Sequence, residues 1–75
     1  MKLNMSYLIT MAQTTQDPLL LEVVHHNVRQ YHRARIHGDK KMQRDLLVSM
    51  VTDIALVRGT NTDEVMDLLD QMSRQ

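Results

Sequence analysis

The chain has no cysteine, tryptophan or phenylalanine, and its 75 residues include only two tyrosines, two glycines and one proline. Without cysteine, neither a disulfide nor a thiolate metal site can stabilise the fold, and nothing points to an oxidising compartment, so cytoplasmic residence is the expectation. Scarce glycine and proline with 43% hydrophobic residues exclude a linker or a disordered tract. A long apolar run is also missing. Leu8, Ile9 and Met11 are interrupted by Asn4, Ser6 and Thr10, which falls short of a bilayer-spanning helix, so neither a signal peptide nor a membrane partner is expected.

With large aromatics absent, the interior must be filled by Leu, Val, Ile and the seven methionines. Methionine is flexible and polarizable, which makes for a soft core and adaptable binding surfaces. A chain of this length buries only about 60% of the surface it exposes when unfolded. Such a core is marginal, and a partner that lends surface is expected.

Apolar residues recur at three- and four-residue intervals, and local signals mark where helices begin and end. Asp17-Pro18 opens one helix, because aspartate caps free backbone donors and proline at the first helical position loses no hydrogen bond. Gly38 closes it and Asp39 starts the next. That helix is apolar on more than one side through Met42, Leu46, Leu47, Met50, Val51, Ile54, Ala55, Leu56 and Val57, and it ends at Gly59. Asn61, followed by Glu64 in a capping-box arrangement, opens a last helix striped by Val65, Leu68, Leu69 and Met72. The expected architecture is all-α: a small three-helix bundle over residues 17–37, 40–58 and 62–73, with the middle helix packed against both others. Residues 17–75 form the single domain, with Leu20, Val24, Leu47, Met50, Ile54, Val65 and Leu69 as its core or dimer contacts. Residues 1–16 are left without a fixed structure, a short extra helix through Met5, Leu8, Ile9 and Ala12 being one option before the polar run Gln13, Thr14, Thr15, Gln16.

No nucleophile elbow, phosphate loop or metal-binding helix motif occurs, so no catalytic residue and no cofactor is assigned. Four histidines fall within residues 25–37, yet His25, His26, His32 and His37 contain no pair spaced by three or four, the spacing that lets two ligands on a helix reach one ion. No metal site is expected. His25, Arg29, His32 and Ile36 share one face, which reads as solvated or partner-facing, and histidines beside arginines would gain charge together on acidification.

The formal net charge of zero hides a strong asymmetry. Residues 25–44 hold six cations (Arg29, Arg33, Arg35, Lys40, Lys41 and Arg44) against Asp39 alone, a net +5, whereas residues 45–75 hold six carboxylates against Arg58 and Arg74, a net −4. The basic stretch suits phosphates or an acidic protein; the last helix, with Asp63, Glu64, Asp67 and Asp70, would repel nucleic acid.

Ile54, Ala55, Gly59, Val65 and Leu68 stand at a spacing that resembles a helix-turn-helix corner, where a small residue permits close approach and glycine makes the turn. The would-be recognition helix is acidic, however, and carries no cation before Arg74 to meet bases or phosphates. The reading is therefore a non-enzymatic protein–protein interaction module, an adaptor, inhibitor or regulator whose partner is a protein. Its partner-binding residues are Arg29, Tyr31, His32, Arg33, Lys40 and Lys41 on the basic side and Asp63 and Asp67 on the acidic side. The rival is a small helix-turn-helix-like DNA-binding regulator using the basic region of residues 29–44. A symmetric homodimer is expected to cover Leu20, Val23 and Val24, unless Leu8 and Ile9 of the N-terminal segment fold back over them.

Overall fold

In the computed structural model, which describes residues 4–74, the chain is all-helical, and no strand occurs among the described residues. Four helices follow one another: α1 (Met5–Thr14), α2 (Pro18–Ile36), α3 (Lys40–Arg58) and α4 (Thr62–Ser73). None of them is long and apolar enough to cross a membrane.

Each helix starts where a short polar side chain satisfies free backbone donors. The Asn4 Oδ1 accepts from the Ser6 N–H at 2.9 Å, and the Asp17 Oδ1 accepts from Leu19 and Leu20 at 3.0 and 3.1 Å. Asp39 caps the Met42 N–H at 3.0 Å, and Asn61 caps that of Glu64 at 2.9 Å. The expected capping box is only half made: the Glu64 carboxylate accepts from the Thr60 hydroxyl instead of reaching back to the Asn61 N–H.

Helix ends follow equally local chemistry. Gly38 and Gly59 both sit at positive φ, 69° and 71°, the left-handed conformation that glycine adopts without steric cost. Around them the Asp39 N–H returns to the Ala34 carbonyl at 2.8 Å, and the Thr60 N–H to that of Ala55 at 2.9 Å. α1 stops differently. The hydroxyls of Thr14 and Thr15 bond back to the carbonyls of Met11 and Ala12, and Gln16 takes a left-handed φ of 59°.

Helices α2 and α3 form an antiparallel hairpin about Gly38, and α1 lies over one face of it, touching α2, α3 and α4. α4 packs on α3 and α1 but not on α2. The core lies between these two layers: Leu8, Val24, Met50, Ile54, Val65 and Leu69 are fully buried, so all four helices contribute to one cluster. Among the described residues no polar or charged side chain is buried. Burying a side chain of this size contributes about 1.5 to 3 kcal/mol, which makes these six the main hydrophobic stabilisers.

Three features of the fold bear on these expectations. Residues 5–14 take the option of a short extra helix, with Met5, Leu8, Met11 and Ala12 buried, so the described residues form four helices. Leu20 and Val24 are buried in the cluster that α1 completes, and no second chain is needed to cover them; Val23 alone of the three stays half-buried. Finally, α3 is not covered all round: Met42, Val48, Leu56 and Val57 are exposed, because α1, α2 and α4 occupy only part of its circumference. The Cα radius of gyration of 11.7 Å is close to the roughly 11 Å expected for a folded chain of this length.

Candidate functional site

The second half of α2 sets Val28, Tyr31, His32 and Arg35 at intervals of three and four, which aligns them along one face. Opposite this face lies the first turn and a half of α1, held in place by the Asn4 cap and by burial of Met5 and Leu8. Between them runs an open groove of about 710 Å³, lined by the cap residue Asn4, by Met5, Ser6, Tyr7 and Ile9 from α1, by those four α2 residues, and by Ser73 at the end of α4. Both tyrosines of the chain therefore line one groove. The Tyr31 and His32 rings meet edge to face, with centroids 6.3 Å apart and planes at 80°. The groove thus combines apolar walls, two phenol groups, an imidazole and a guanidinium.

The predicted partner-binding residues do not form one surface. Tyr31 and His32 line the groove; Arg29 and Arg33 are exposed on the outward side of α2; Lys40 and Lys41 follow the turn at the start of α3. Together with Arg35 and Arg44 they make the turn end of the hairpin strongly basic. Asp63 and Asp67 lie apart from them, exposed on α4, which does not touch α2.

Charge neutralisation within the chain is slight. Among the described residues the ion pairs are Lys41–Asp45 at 3.1 Å and Arg74–Asp70 at 2.8 Å, each one turn apart on a single helix. Pairs this exposed contribute little, about 0.3 to 0.5 kcal/mol. The basic turn end and the acidic α4 therefore face solvent rather than each other.

A second concavity sits at the open end of the hairpin. There Leu19, Leu20 and Val23 of α2 meet Asp53, Leu56 and Val57 of α3 around a shallow hollow of about 220 Å³. Leu19 is 69% exposed and Leu56 77% exposed, beyond what a folded interior leaves for such residues.

Tyr7, Leu19, Leu56 and Val57 belong to these surfaces although sequence reasoning assigned none of them a partner-binding role, and Arg35 entered it only as part of the basic region of the DNA-binding alternative. The signal for Tyr7 was Asn4 followed by apolar residues at helical spacing; nothing local marks Leu56 as exposed, since it continues an apolar run. No group of three His, Asp or Glu side chains converges among the described residues. No family model, curated protein or solved structure matches the chain.

Proposed function

We propose that this protein is a small non-enzymatic interaction module, an adaptor, inhibitor or regulator, that holds an acidic segment of a partner protein in the groove between α1 and α2. The observation that carries this reading is the convergence of Tyr7, Tyr31, His32 and Arg35 on that groove beside a basic end whose cations, Lys41 apart, lack carboxylate partners among the described residues. Aromatic rings and arginine are the side chains that anchor protein interfaces most strongly, since they combine large contact area with directed polar groups. A carboxylate-bearing segment with one or two apolar side chains complements the mixture: carboxylates meet Arg35 and the turn end, and apolar groups lie against the tyrosines and Ile9.

A second reading is favoured by the six exposed cations of residues 29–44 and by the glycine corner between α3 and α4. On this reading the protein is a helix-turn-helix-like DNA-binding regulator, with Arg29, Arg33, Arg35, Lys40, Lys41 and Arg44 on phosphates. The acidic outward face of α4, with Asp63 and Asp67, opposes it.

An array of acidic peptides with apolar anchors, probed with the wild type, Tyr31→Ala and Arg35→Glu, separates the two. Capture of a subset that both substitutions abolish supports the peptide groove. If no peptide is retained while random duplex binds, weakens steeply with salt, and is lost in the Arg29→Glu, Arg33→Glu variant, the DNA reading replaces it.

A further inference from the structure

The groove between α1 and α2 is uneven in charge. Its charged or titratable lining residues are Tyr7, Tyr31, His32 and Arg35, and no carboxylate lines it. The groups around its rim leave this imbalance in place. On the same face of α2, Arg29 and His25 precede His32 by one and two turns, and on α4 Asp70, within a turn of Ser73, is already paired with Arg74 at 2.8 Å. No residue of α3 lines the groove.

Among these lining residues His32 alone changes charge in the neutral range, since arginine keeps its proton there and phenols stay neutral. Its imidazole is exposed, and the edge-to-face contact with Tyr31, at a centroid distance of 6.3 Å, sets it at the groove wall. Arg35 follows three positions later, which puts the two cation-forming side chains one turn apart on a single face, with about 5 to 6 Å between their Cβ atoms. Once protonated, His32 has arginines one turn away on either side and no ion-pair partner among the described residues. Only solvent or a bound partner can match that charge.

We infer that the groove receives segments bearing two neighbouring carboxylates and grips the second of them only in acid, a step that rests on its being the site of an acidic segment. Arg35 meets one carboxylate at any pH. Protonated His32 meets the other, and because protonation turns the imidazole from one donor into two, charge and hydrogen-bonding capacity rise together. A segment with a single carboxylate is held by Arg35 and gains little.

The direction of the effect follows from linkage. A segment that prefers protonated His32 takes up a proton as it binds, so its affinity rises as pH falls through the imidazole range, from about 7.5 to 5.5, and levels off below it. Only near pH 4, roughly, do the segment's own carboxylates protonate and reverse the trend. Acid does not act by opening the fold, because no histidine belongs to the buried core. The contact forms at an exposed position, so its gain is that of an exposed ion pair, about two- to fivefold in affinity.

The test probes the acidic-peptide array with the full chain at about pH 7.5 and about pH 5.5 and one ionic strength, then titrates the retained peptides by calorimetry in two buffers of different ionisation enthalpy. Peptides with two neighbouring glutamates are expected to tighten about two- to fivefold in acid and to take up protons on binding, and single-glutamate peptides to respond less. His32→Gln should flatten the profile at the weaker, neutral-pH affinity, and His32→Arg at the tighter one, both with unchanged helical circular dichroism. Replacing His25, His26 and His37 together by glutamine should leave the pH response in place; a response lost with those three overturns the inference. It is overturned as well, with the peptide groove left standing, if peptides that Tyr31→Ala and Arg35→Glu abolish bind equally at both pH values or keep their pH response in His32→Gln. If no peptide is held at either pH, the peptide groove itself fails and this inference falls with it.

Discussion

The backbone N–H of Asp39 donates to the carbonyl of Ala34 at 2.8 Å, while the carboxylate of the same Asp39 accepts from the Met42 N–H at 3.0 Å. One residue thus closes α2 and opens α3, and the hairpin's geometry rests on Gly38 and Asp39 in the three-residue connection that begins at His37.

At that joint, a Cβ added to Gly38 would meet no atom within 4 Å, so the cost of Gly38→Ala is conformational and not steric. A left-handed alanine is disfavoured by about 1 to 2 kcal/mol. Asp39→Ala removes the cap and costs about 1 kcal/mol. Urea denaturation of the two single variants is expected to show both losses. Gly38→Asn should be milder than Gly38→Ala, because asparagine tolerates positive φ; equal midpoints for those two would contradict this account.

Leu8 decides whether α1 is part of the domain. Its side chain is fully buried among residues of the other helices, so Leu8→Ala should cost about 2 to 5 kcal/mol, comparable to a truncation in α3. Ile36→Ala, at a residue 82% exposed, should cost almost nothing. Ile54→Asp should abolish the cooperative transition altogether, because a domain this small is stabilised by only about 4 to 11 kcal/mol and an unpaired buried charge consumes most of that. Equilibrium unfolding followed by circular dichroism checks all three.

Without tryptophan, the two tyrosines are the only strong intrinsic fluorophores, and both line the groove between α1 and α2. A peptide bound there should change tyrosine emission directly. Tyr7→Phe and Tyr31→Phe should each remove part of the response while leaving helicity intact. An emission change that survives in the double variant cannot exist, so binding detected by anisotropy in a variant whose single replacements leave the emission response untouched would move the site elsewhere.

What was legible in the sequence was the chemistry acting over four or five residues. Asp17 with Pro18, Gly38 with Asp39, and Gly59 with Asn61 mark boundaries by satisfying neighbouring backbone groups, and three helices follow from them. α1 was harder to read because its stability is not local: Leu8 and Ala12 are held by contacts with residues far along the chain, and the polar run at residues 13–16 looks like the end of order when it is the last of α1 and the turn into a packed α2. Leu56 and Val57 show the converse. Periodicity reveals that α3 is apolar on several sides, but which sides are filled depends on where three other helices cross it. The groove depended on the same non-local fact, since Tyr7 and Tyr31 become neighbours only when α1 docks on α2.

The methionine-filled core has a chemical consequence. In a chain with no cysteine, the thioether sulfurs are its principal targets for peroxide, and their accessibility differs widely: Met42 is exposed on α3, whereas Met5, Met11 and Met50 are buried in the common cluster. Oxidant reaches Met42 in the native state, but reaches Met50 only when the helices part. The sulfoxide formed at Met50 is polar and cannot be reburied without loss, so each opening that admits oxidant is recorded covalently. The rate at which that residue gains oxygen is then a clock for the transient separation of the helix layers.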